Sequence, residues 1–126
     1  MEKKNIYSLH EDHKTWLNVL SFYKDDIELL KKRIEEVAAK NSAKDVLAMI
    51  EHFQNQLIIQ RNNIDELKHS VKASENELEK NISNNPVAVD HRSVEDEPEL
   101  RDEMVTFEKN FADLRKELIG FISKWM

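Results

Sequence analysis

The chain predicts an all-α protein, an antiparallel three-helix bundle of the coiled-coil kind, and three observations carry that prediction. Apolar side chains recur at alternating steps of three and four along three long stretches, about 8–40, 42–82 and 96–125, which is the spacing of one helix face. The 126 residues include one glycine and two prolines, far too few for the turns of a sheet protein. One very short and one long connection separate the stretches, which sets the first two helices antiparallel and lets the third return beside them.

The first helix opens on Ser8, with Glu11 three residues on, a capping-box spacing. Its seam reads Leu9, His13, Trp16, Leu20, Tyr23, Ile27, Leu30, Ile34, Val37, and His13 alone breaks the apolar rule. Residues 1–7 are a lead-in. Asn41, a residue that tolerates the left-handed conformation, ends the helix. Ser42, followed by Asp45, can start the next one at once.

The second helix runs some forty residues without glycine or proline. Its seam is Val46, Ile50, Phe53, Leu57, Gln60, Ile64, Leu67, Val71, Ser74 and Leu78. At 1.5 Å per residue it is on the order of 60 Å long. A rod of that length needs partners on both sides of its stripe. The cluster Ser83-Asn84-Asn85-Pro86 ends it.

Residues 83–95 read as a long loop, with Val87, Val89 and Val94 available to cover the bundle end. Asp90, His91 and Arg92 are loop candidates for function or for pinning the loop by ion pairs. Asp96 as N-cap, Pro98 in the first turn and Glu99 start the third helix. Its seam is Leu100, Met104, Phe107, Phe111, Leu114, Leu118, Phe121, Trp125. Gly120 costs it about 1 kcal/mol of helix propensity and marks either a close backbone approach or nothing. The whole makes one domain, 1–126, similar in plan to a single spectrin-type repeat.

Composition narrows the function. Charged residues make up 35% and hydrophobic ones 40%, a folded and not a disordered mixture. A net charge of −6 disfavours nucleic acid as partner, since phosphate contacts need clustered Lys and Arg, and Lys31-Lys32-Arg33 reads as a solvated helix face. Without cysteine there is neither disulfide nor thiol chemistry. No apolar run suits a signal peptide or a membrane span, so a cytoplasmic location is expected. No glycine-rich loop cradles a phosphate.

Two constellations remain. His10 and His13 stand three apart, and antiparallel pairing about Asn41 brings residue 13 near 67–69, the neighbourhood of Glu66 and His69. Bundle metal sites use such Glu-x-x-His pairs. The heptad turns Glu66 and His69 outward, however, leaving His10 and His13 as weak metal candidates and no cofactor expected. The other reading of His13 is a ring packed on Trp16 or Met104 with its polar edge wet. Gln60 and Tyr23 are polar seam residues about a turn apart, suited to fixing register.

Extra apolar residues lie beyond the seams, Val19, Phe22 and Leu29 on the first helix and Val105, Ile119 and Ile122 on the third. Part of this set completes the core of a three-helix bundle, and the remainder is a candidate interface. The expected function is therefore non-enzymatic protein–protein interaction as an adaptor, scaffold or small acidic chaperone, with a homodimer as the simplest assembly. A metal- or small-ligand-binding bundle with its site near His10 and His13 is the alternative.

Overall fold

The computed structural model describes residues 3–87 and 93–126, and the protein is an all-α three-helix bundle with one small ribbon. Strand β1 (Lys3–Asn5) leads into helix α1 (Ile6–Lys40), which is followed by α2 (Lys44–Asn84), strand β2 (Ser93–Glu95) and α3 (Pro98–Trp125). The strands pair antiparallel, with Lys3 opposite Glu95, Lys4 opposite Val94 and Asn5 opposite Ser93. This ribbon replaces the irregular lead-in and loop end that periodicity suggested. Three-residue strands leave no measurable alternation in sequence. Val89, Asp90, His91 and Arg92 lie outside the described residues.

The seams are buried as their spacing requires. In α2 the buried set is Val46, Ile50, Phe53, Leu57, Gln60, Ile64, Leu67, Val71 and Leu78, with Ser74 half-buried. In α1 it includes Leu20, Ile27, Leu30, Ile34 and Val37. Each apolar side chain of these sets contributes about 1.5–3 kcal/mol on leaving water. Tyr23 packs its ring on Phe107 and Phe111, with centroids 5.5 and 4.7 Å apart, and Phe53 meets Phe121 at 5.1 Å. A smaller core of Ile6, Leu9 and Leu78, with Val94 and Ile82 against it, closes the ribbon end. Val94 thus does cover the bundle end, whereas Val87 is exposed.

All three helix N-caps depart from expectation, while α1 does stop at Asn41 and Pro98 does lie in the first turn of α3. Helix α1 begins two residues before Ser8, because β1 hands the chain over at Asn5, whose side chain accepts from Tyr7 N at 2.8 Å. Helix α2 starts at Lys44 with Ala43 as a cap that offers no side-chain bond, so Ser42 is not the cap. Asp96 is not a cap either, for its carboxylate is taken by Arg101 and Glu97 fills the cap position. Asn41 is extended (φ −131°) and not left-handed. Its amide instead donates to Val37 O at 2.9 Å and Trp125 O at 3.0 Å, tying the ends of α1 and α3 together.

Ile122 is a correction to the candidate interface, since it is buried with the core. A straight helix drifts about 20° per heptad from an exact seven-residue repeat, and three heptads separate Leu100 from Phe121. By the end of α3 the buried line has moved on by one residue. Phe121 is consequently half-buried. A Cβ on Gly120 would meet nothing within 4 Å, so this glycine serves no close approach.

Candidate functional site

Polar groups converge at the ribbon end, around His13. Its ring is 1% exposed. Nε2 lies 2.8 Å from Glu97 Oε2, and Nδ1 lies 3.3 Å from Glu75 Oε2. The ring of His10, on the exposed side, meets the same Glu75 carboxylate. Helix α1 supplies both histidines one turn apart, α2 supplies Glu75, and the residue before α3 supplies Glu97. A ring protonated on both nitrogens donates to both carboxylates at once, whereas a neutral ring donates to one. The order Glu97–His13–Glu75–His10 is a row and not a ring of ligands. Among the described residues no group of three or more His, Asp or Glu side chains is placed to hold a metal ion.

Two expectations about His13 are corrected here. It faces Glu75, not residues 67–69, because α2 pairs with α1 about a heptad further along its length than a turn centred on Asn41 would set, a larger shift than the three connecting residues account for. The same register gives the Lys24–Asp65 pair at 3.0 Å and the Arg61–Glu28 pair at 3.7 Å. Its polar edge is not wet, since both nitrogens are held by carboxylates. The ring does sit against Trp16, 5.8 Å between centroids. Glu75 had a faint signal: it stands beside Ser74, a small seam residue that leaves room for a neighbour to turn inward. Glu97 had none beyond its place before Pro98.

A second network braces this cluster. Asp12 receives Lys4 Nζ at 2.6 Å and Arg101 Nη2 at 2.7 Å, and Arg101 also donates to Asp96 at 2.9 Å. The Arg101 guanidinium lies 5.1 Å from the centre of the Trp16 ring, a cation–π arrangement. Burial pushes the Asp12 carboxyl up, but Lys4 and Arg101 together outweigh it and hold it below the usual carboxylate range. The hydrogen bond from Arg101 likewise holds Asp96 down. One cation thereby links α1 to the entrance of α3.

Among the described residues no hydrogen bond joins the two polar seam residues Gln60 and Tyr23. Burial raises the Tyr23 hydroxyl, and Glu108 on α3 raises it further by its charge and by accepting a hydrogen bond from it. Gln60 is 8% exposed, and its Oε1 is buried without a hydrogen-bond partner among the described residues. Glu66 and His69 are exposed, as the heptad requires.

The outer apolar residues divide. Phe22 is 67% exposed, Leu29 51%, Val105 61% and Ile119 38%, while Val19 is half-buried against the core. Asp26 stands four residues after Phe22 and three before Leu29, and Arg115 stands four before Ile119, so each charge shares a flank with those apolar residues. The Arg115 Nε–Asp26 Oδ2 bond, 2.8 Å, therefore places Phe22, Leu29 and Ile119 along one α1–α3 seam, Phe22 a turn before the bond and Leu29 and Ile119 a turn after it. Val105 continues the α3 line two heptads before Ile119. No described helix is long and apolar enough to cross a membrane.

Comparison with known proteins finds no matching family model, no matching curated protein and no matching solved structure.

Proposed function

We propose that this chain is a non-enzymatic binding protein of the cytoplasm that acts through its helix faces, with a second copy of itself as the partner on the α1–α3 side. The exposed residues Phe22, Leu29 and Ile119 beside the Asp26–Arg115 pair, with Val105 further back along α3, are the observation that carries this reading. Apolar side chains left in water at that density favour an interface. The face holds both signs of charge, so it can meet its own two-fold image without like-charge conflict. The polar cluster at the ribbon end supports a binding role over a chemical one, because His13 is sealed from solvent and its nitrogens are engaged.

Sedimentation velocity over a range of micromolar concentrations tests the reading. The wild type sediments as a dimer, and Phe22→Asp and Ile119→Asp each sediment as monomers with unchanged helical circular dichroism. A wild type that remains a monomer at the highest concentration refutes the dimer.

A further inference from the structure

Another side of the bundle carries a different surface. Between α2 and α3 runs a polar groove made of three adjoining depressions of about 510, 420 and 400 Å³. Neither lysine nor arginine lines it, although the chain has 19 of them. Its walls carry Glu66, Glu103, Asp113 and Glu117, none of them drawn into an ion pair among the described residues. Side-chain amides of Gln56, Asn63 and Asn110 stand between the acids.

Gln60 gives this groove a second and independent feature. It lines both of the larger depressions, at the point where they meet. More than nine-tenths of its surface is buried, and Oε1 accepts from no described group. A buried acceptor without a donor is costly, and the terminal torsion of a glutamine amide is soft and roughly two-fold. Rotation about that torsion exchanges the oxygen and the NH2, so the amide can offer either an acceptor or a donor to a backbone group lying in the groove.

We infer that the α2–α3 groove is a docking site for an extended polypeptide segment bearing lysine or arginine. Charge complementarity selects the cation, since the lining carries Glu66, Glu103, Asp113 and Glu117 and, among the described residues, His52 as its one basic side chain. The amides select an extended backbone, whose N–H and C=O groups are free to pair with them. A docked helix has spent those groups internally and needs apolar anchors, for which the lining offers little beyond the edges of Leu67, Phe107 and Leu114. From Glu99 to Glu117 the groove is about 27 Å long at the helical rise, which an extended segment of about eight residues spans. This surface is separate from the α1–α3 patch and stands or falls independently of dimerisation.

The test titrates ¹⁵N-labelled protein with a blocked octapeptide of alternating lysine and serine, in the wild type and in the Phe22→Asp background. An octapeptide of alternating glutamate and serine and the polyamine spermine serve as comparisons. The lysine peptide shifts the side-chain amide signals of Gln56, Gln60, Asn63 and Asn110, and the glutamate peptide does not. Charge reversal by Glu103→Lys with Asp113→Lys weakens the lysine peptide at least about tenfold, as expected for surface charges that set partner choice. Gln60→Leu weakens it about three- to tenfold, the range of one hydrogen bond, while raising the melting temperature, so the loss is not one of folding. Shifts spread over the whole acidic surface overturn the inference. So does spermine binding as tightly as the peptide, or an affinity untouched by Gln60→Leu.

Discussion

Replacing His13 by leucine isolates what the buried ring does for the fold. Leucine is close to histidine in volume, so the change removes two polar contacts without opening a large cavity. It leaves Glu75 and Glu97 facing an apolar side chain, each having lost a partner at 3.3 and 2.8 Å. Removing one partner of a fully buried pair costs about 3–5 kcal/mol. Glu75 and Glu97 keep 15% and 23% of their side-chain surface exposed, so water relieves part of that, and an expected loss of about 2–3 kcal/mol follows. For a domain of this length each kcal/mol moves the melting temperature by about 3–5 °C, which gives a drop of about 6–15 °C. Urea denaturation followed by circular dichroism at neutral pH measures the free energy directly. The triple variant His13→Leu, Glu75→Leu, Glu97→Leu is the control, because it removes the carboxylates together with their partner. It should recover most of the loss, as apolar replacement of a whole buried ionic group commonly does. A His13→Leu protein within about 0.5 kcal/mol of the wild type, the range of surface changes, would show that the carboxylates gain nothing from the ring.

Two further outcomes concern stability. Asp12 and Asp96 titrate lower in the fold than their ordinary value of 3.8, so their contribution is present above that value and is lost as pH falls through their folded pKa. Asp12→Asn should therefore cost about 1–2 kcal/mol at neutral pH, with the difference from wild type shrinking in urea titrations below about pH 4; a difference that is constant down to strong acid contradicts the Lys4–Asp12–Arg101 account. Gly120→Ala should stabilise by about 1 kcal/mol in the same assay, because the new methyl meets open space in a helix interior; a destabilised variant would mean that the position is not open.

The heptads made most of the fold legible. The α2 seam named from spacing is the buried set with one small exception, Ser74, which is half-buried. Ser8 and Asp96 both have the right local chemistry for a cap, but contacts beyond that chemistry decide where α1 and α3 begin. The ribbon starts α1 early, and Arg101 takes the side chain that would have capped α3. The site was legible in its two histidines, which stand one turn apart on α1. His13 stands on a seam, so its burial follows from periodicity. Its partners lie 62 and 84 residues away and carry no local mark of the pairing.

By itself the sequence determined three helices, their seams, their antiparallel order and the outward turn of Glu66 and His69. These follow from a period that repeats along each helix and needs no knowledge of the neighbours. Tertiary structure decided the register between helices, and with it the Glu97–His13–Glu75 row, the Asp12–Arg101–Asp96 brace and the groove beside Gln60. A period of three and four is unchanged when one helix slides past another by a heptad. The side chains that meet depend on the length of the connections and on which ends are tied, as Asn41 ties α1 to Trp125.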